Sequence, residues 1–196
     1  LSNACRKKDW SVSIFDNDIK ALERTETMIY PSRYGQWDSK IKLLDAFPEN
    51  MKYDVVIIGT PPDTHLKIAE NILNASTSNI VLIEKPLSTP NLELLINMEK
   101  NIKNHKSSLL VGYNHNLTDN TIFVESLIND NIIGDALSLH VRWMESWDGI
   151  FDAHPWLDGP NDSYLGFYER GGGACGEHSH AISIWNHFSS LMGCGR

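Results

Sequence analysis

The chain has 196 residues, 41% of them hydrophobic and 21% charged, enough apolar material for one large core or two small ones. A formal net charge of −8, with Arg6-Lys7-Lys8 as the only basic cluster, excludes bulk neutralisation of nucleic-acid phosphates. There is no apolar run near the ~20 residues of a membrane span and no visible signal peptide. Three cysteines, Cys5, Cys175 and Cys194, form an odd set without framework spacing, which points to a reduced, cytoplasmic setting.

In chain order, Leu1 to Asp9 reads as the end of a helix. Ser11 to Phe15 reads as a strand that ends at Asp16, an acid also able to cap a helix through Ile19 and Leu22. Met28 to Trp37 reads as a short strand and loop, and Ser39 to Phe47 as a short amphipathic helix stopped by Pro48. Asp54-Val-Val-Ile-Ile58 is strongly β-prone and is closed by Gly59-Thr60-Pro61-Pro62; Asp63 or Thr64 then caps a helix to about Asn74.

Val81-Leu-Ile83, running into Glu84-Lys85-Pro86, reads as a buried parallel strand. A helix over Asn91 to Asn104 and a strand over Ser108 to Gly112 follow, the latter ending in Tyr113-Asn114-His115-Asn116. This alternation predicts βαβ units, a parallel sheet, and strand ends gathered on one edge, where open α/β folds bind ligands. A lysine at that edge is costly to desolvate and readily changes its pKa, so Lys85 is able to give or take a proton. Its neighbour Glu84 is expected to hold the ammonium. A strand-end lysine with its head in solvent is the alternative.

Past Asn116 the style changes. Thr118 to Asp130 predicts a helix, Ala136 to Glu145 a strand, and Ser146 to Arg170 an aromatic loop; Gly171-Gly-Gly173 precedes a helix from Glu177 to Leu191. These suit the start of a second, α+β domain. Cys175, Glu177, His178 and His180 admit a metal reading, but His-x-His spacing suits a strand better than a helix, and no metal is expected.

Four segments carry a family likeness: Val55 to His65, Glu84-Lys85-Pro86, Gly112-Tyr113-Asn114, and Gly171 to Gly173 with His180-Ala-Ile-Ser183. In this order and at these separations they resemble the glucose-fructose oxidoreductase / inositol dehydrogenase (Gfo/Idh/MocA) family of NAD(P)-dependent oxidoreductases. The resemblance implies a Rossmann-type parallel sheet over residues 1–115. It implies a partial substrate and oligomerisation domain with a mainly antiparallel sheet over 116–196. The implied function is hydride transfer between NAD and a hydroxyl or keto carbon of a sugar, cyclitol or sugar-nucleotide. A non-catalytic, dinucleotide-binding regulatory relative is the alternative.

By the same resemblance, Lys85 and His180 are catalytic. Ser183 stands where the family's His-x-x-Asp motif has its acid, and Glu177 lies one position closer to the histidine than is common, which keeps His178 as an alternative. Asp16, Thr60, Pro61, Pro62, His65, Glu84, Lys85 and Asn114 are expected at the cofactor, with His65 equally readable as structural. Lys85, His115, Trp156, Glu177, His178 and His180 are expected at the substrate. Asp16, at the end of the second Rossmann strand, bonds a ribose 2′-hydroxyl and repels a 2′-phosphate, favouring NAD over NADP. The family's first strand and G-x-G-x-x-G turn are expected before Leu1 and further strands after Arg196. The chain is therefore expected to be a fragment of a protein that assembles as a homodimer or homotetramer.

Overall fold

Two short β-prone runs open the fold. Val12–Phe15 forms β1 and Ile41–Leu44 forms β2; they pair in parallel, Val12 opposite Ile41 and Phe15 opposite Leu44. Both lie in the first of two units, Leu1–Met51 and Lys52–Arg196, and the computed structural model describes residues 1–48, 51–75, 77–102 and 105–194. Helix α1 (Ser2–Arg6) precedes β1, and α2 (Ile19–Arg24) follows it. The cap of α2 is Asp18, which accepts the Lys20 N–H, and not Asp16. Asp16 instead turns the chain toward the helix, its Oδ1 accepting the Asp18 N–H at 2.9 Å.

Two expectations for this unit are corrected. Met28 to Trp37 is largely helical: a π turn over Thr25–Ile29 runs into α3 (Tyr30–Tyr34). Ile29 before it is itself αR, so Pro31 lies inside a continuous helical run, directly after a π turn of the kind that accommodates a missing amide donor. Tyr30 also packs edge-on against Tyr34 and Trp37, at ring distances of 5.1 and 5.0 Å. Ser39 to Phe47 contains β2 in place of a helix. Its few apolar residues satisfy either period, and pairing with β1, which buries Ile41, decides the outcome. Arg6 ties the unit together, meeting Asp38 at 2.9 Å and donating to the Trp10 carbonyl at 2.6 Å.

In the second unit β3 (Tyr53–Ile58), β4 (Ser78–Ile83) and β5 (Ser108–Val111) form a parallel sheet with β4 in the centre. Val55 faces Ile80 and Ile83 faces Val111. The crossovers are α4 (Pro62–Asn74) and α5 (Leu92–Ile102); the expected end of the latter, Asn104, lies outside the described residues. His65, Leu66, Ala69, Ile72 and Leu73 share the buried face of α4, and Ala69, Val81 and Ile83 retain no exposed area. Neither Asp63 nor Thr64 is the N-cap of α4. Pro61 takes that place, the Thr64 hydroxyl donates back to the Pro61 carbonyl at 2.8 Å, and Asp63 pairs with Arg170 at 2.6 Å. The ladder runs one residue past the strands, with Glu84 N–H on Ile58 O at 2.9 Å and Gly112 N–H on Ile83 O at 2.7 Å. Gly59, Glu84 and Gly112 therefore open their loops on one edge, as the sequence predicts.

Beyond the sheet come α6 (Asp119–Asn129), α7 (Trp147–Asp152), three short 3-10 turns, α8 (Gly173–Glu177) and α9 (Ser179–Leu191). The expected strand over Ala136 to Glu145 is an extended stretch that pairs with no strand among the described residues, and Leu137 is 96% exposed. A strand exists by its ladder, and among the described residues this stretch has none. The glycine triplet leads into α8, a helical turn the sequence reading missed. Among the described residues no helix is long and apolar enough to cross a membrane. Ile83→Ala, which opens a cavity at the centre of the sheet, should lower stability by about 2–5 kcal/mol; an unchanged urea midpoint would contradict this account of the core.

Candidate active site

The apolar run of β4 ends at Ile83, and its last ladder bond holds Glu84. The Glu84 side chain lies over Gly112, where a Cβ would meet its Oε2 at 3.1 Å, so glycine at that position leaves the carboxylate room. Lys85 does not turn to Glu84. Its Nζ donates to the Glu177 carbonyl at 2.8 Å and pairs with Glu177 Oε1 at 3.0 Å, across 92 residues of sequence. Both side chains are largely buried, at 16% and 15% exposure. The carboxylate that holds the ammonium is thus Glu177.

Glu177 is carried there by the segment before it. Gly171 has φ +90°, and a Cβ on it would sit 2.6 Å from Pro62 Cβ, so only glycine lets this loop close onto the start of α4. The preceding Arg170 pairs with Asp63 on the same helix. Seated in this way, the triplet starts α8, which ends at Glu177.

His180, in the first turn of α9, stands in an aromatic box. Trp143 stacks on it at 5.6 Å and 23°, while His115 and Tyr113 meet it edge-on at 4.5 and 5.9 Å. Burial, then His115 and the Lys85 ammonium, lower the His180 pKa to about 4, against a partial offset from Glu177 and Glu145. The imidazole is therefore neutral near pH 7. Its Nδ1 and Glu177 Oε2 are buried without a hydrogen-bond partner among the described residues. Ser183 accepts a hydrogen bond from Asn116 Nδ2 at 2.9 Å. His178 faces away toward Glu145, 3.2 Å from its Oε2, without hydrogen-bond alignment.

Of the residues expected at the site, the structure brings Lys85, His115, Glu177 and His180 together. Thr60 and Pro61 are exposed at the end of β3, and Asn114 is exposed at the end of β5. Pro62 is buried beneath Gly171. Asp16 follows β1 in the first unit. Trp156 packs edge-on against His154 at 5.2 Å; the tryptophan on His180 is Trp143. His65 is 1% exposed, with Nδ1 3.0 Å from Pro86 O and Nε2 2.6 Å from Thr60 O, so its ring is used within the protein.

Two residues escaped sequence reasoning. Trp143 lies in a stretch read only as strand, and Tyr164 in a stretch read only as loop. Burial and the carboxylates of Glu177 and Glu84 push the Tyr164 hydroxyl up to about 12, so it remains an O–H donor. The groups of the site are of the kinds that meet an alcohol hydroxyl. They offer an ammonium, a neutral imidazole, and two buried atoms matched by hydroxyl groups.

The depressed pKa of His180 has a thermodynamic consequence. Between pH 6.5 and about 4 the unfolded chain binds a proton that the folded chain does not, so stability is full above 6.5 and falls toward 4. Acid unfolding of His180→Gln should therefore be less steep over that window than in the wild type. Superimposable curves would show that His180 titrates normally in the fold.

Residues 3–113 match the oxidoreductase family with an NAD-binding Rossmann fold, Gfo/Idh/MocA. The chain is 28% identical over 102 residues to inositol 2-dehydrogenase of Rhizobium meliloti (strain 1021), a match that spans 52% of this chain and 30% of that protein. It is 25% identical over 144 residues to 2,7-anhydro-N-acetylneuraminate hydratase of Escherichia coli (strain K12), spanning 74% of this chain and 36% of that protein. Levoglucosan dehydrogenase, solved with NADH and levoglucosan, shares the fold at a TM-score of 0.66 and 19% identity, over 93% of this chain and 44% of that one. With over half its length matched by the family and its parallel strand ends arranged as the family's fold requires, the chain belongs to the Gfo/Idh/MocA oxidoreductases.

Proposed function

We propose that the whole protein is an NAD-dependent oxidoreductase acting on a hydroxyl or keto carbon of a sugar, cyclitol or sugar-nucleotide. The observation that carries this reading is the buried Lys85 ammonium, fixed by Glu177, in the electrostatic reach of a neutral His180. Oxidation of an alcohol needs a group to take the hydroxyl proton and a cation to stabilise the oxygen as charge develops. His180 takes the proton at its partnerless nitrogen, and Lys85 donates a hydrogen bond to the same oxygen. Glu177 Oε2 accepts from a neighbouring hydroxyl, which orients a polyol, and the Tyr164 O–H supplies a further donor. The dinucleotide, when bound, supplies the hydride chemistry.

The rest of the reading follows the family. Residues 1–115 serve the nucleotide and residues from 116 the substrate, and Asp16 selects NAD over NADP. A cytoplasmic setting, in keeping with three unpaired cysteines, and assembly as a homodimer or homotetramer complete the proposal. The pairing of Lys85 with Glu177 beside His180 favours an enzyme over a regulatory dinucleotide-binding relative. A second reading, net addition or removal of water, is favoured by the E. coli relative, which is named a hydratase and matches over 74% of this chain. A net change in NADH absorbance during turnover separates the two.

Lys85→Met in the full-length protein should lower turnover by about 10²–10⁴-fold and leave NADH affinity within a few-fold. Turnover at the wild-type rate would remove Lys85 from the mechanism. Asp16→Ala should narrow the preference for NAD over NADP, measured as the ratio of the two dissociation constants; an unchanged ratio would place the discriminating group elsewhere.

A further inference from the structure

We propose that His65 is a positioning residue for Lys85, a clamp joining the loop after β3 to the loop after β4. The inference rests on the reading of Lys85 given above. His65 lies on the core face of α4 beside Leu66, Ala69, Ile72 and Leu73 and is 1% exposed. A polar ring at such a position is tolerated only if its nitrogens are satisfied. Nδ1 lies 3.0 Å from the Pro86 carbonyl and Nε2 2.6 Å from the Thr60 carbonyl. Carbonyl oxygens only accept, so a ring nitrogen that carries a proton donates to the carbonyl beside it.

The clamp acts where the sheet no longer does. Ladder hydrogen bonding along β4 ends with the Glu84 N–H on Ile58 O. The next backbone tie is Pro86 O to His65, and Lys85 lies between these two anchors. From there Nζ must reach the Glu177 carbonyl at 2.8 Å and its Oε1 at 3.0 Å. Removing the second anchor frees the backbone at Lys85, and displacements of about 1 Å at such positions change rates by as much as ~100-fold. The other arm of the clamp holds Thr60, whose hydroxyl is 2.7 Å from that of Thr64 on α4, so both loops are referred to one helix.

The test reads where Lys85 sits, not what it does. In the full-length protein, lysines are acetylated with an N-hydroxysuccinimide ester and site-specific rates are followed by peptide mass spectrometry. Lys85, 16% exposed and ion-paired, reacts slowly in the wild type, and Lys67, 71% exposed, serves as the reference. In His65→Phe, which keeps the ring without its donors, the Lys85 rate should rise on the order of tenfold relative to Lys67, as expected for the loss of a buried hydrogen bond. His65→Gln, which keeps one donor nitrogen, should give a smaller rise and decides the matter if His65→Phe does not fold. A wild-type Lys85 rate in a folded variant without the clamp overturns the proposal. That result leaves the oxidoreductase reading intact, and persistent turnover by Lys85→Met leaves the clamp intact, so the two fail separately.

Discussion

The contact between Lys85 and Glu177 is the constraint on which the site depends. One partner comes from the central strand of a parallel sheet, the other from a short helix far along the chain. Two largely buried ions lose hydration, and their attraction offsets that loss only when the geometry is good and further hydrogen bonds are made. Here the ammonium gains a backbone carbonyl as well as a carboxylate oxygen. The remaining oxygen of Glu177 is buried with no hydrogen-bond partner among the described residues, so an interaction that fixes the lysine also leaves one acceptor unused.

The same cation separates the two titratable groups of the site. Lys85 and His115 stand on the side of His180 where added positive charge is unfavourable, and burial works in the same direction. The pair is therefore a fixed cation beside a neutral imidazole, as the proposed oxidation of an alcohol calls for: one group to stabilise an oxyanion and one to accept a proton. Tyr164 is shifted in the opposite sense by the carboxylates of Glu177 and Glu84 and retains its proton. Each of the three roles follows from sign and burial, with Glu177 as the shared neighbour.

What was legible in the sequence was whatever local chemistry decides. Val55 to Ile58 and Val81 to Ile83 are apolar on both faces, which only a covered parallel sheet accommodates, and the residues that close them mark its functional edge. The motifs around Lys85 and His180 single these two out, and the structure brings them within electrostatic reach of each other. What was not legible depends on distant partners. Ile41 to Leu44 fits a helix or a strand until β1 is beside it. Trp143 lies on an extended stretch with nothing local to mark it, and only the stack on His180 distinguishes it from Trp156. Glu84 is adjacent to Lys85 in sequence, but both lie past the end of β4, and the carboxylate that Lys85 meets in space is Glu177.

The departure at Ser183 fits the same electrostatics. An aspartate three residues after His180 would share its helix face and, as an anion, would raise the imidazole toward the protonated form. Serine gives that place a neutral oxygen, which takes a hydrogen bond from Asn116 without adding charge. Asn116 follows His115 on the turn that bears the aromatic box, so the bond also links that turn to α9. The histidine is then left to burial, His115 and Lys85, all of which favour the neutral ring. Serine at this place is thus compatible with His180 as the base proposed above, while Glu177 supplies the carboxylate that meets Lys85.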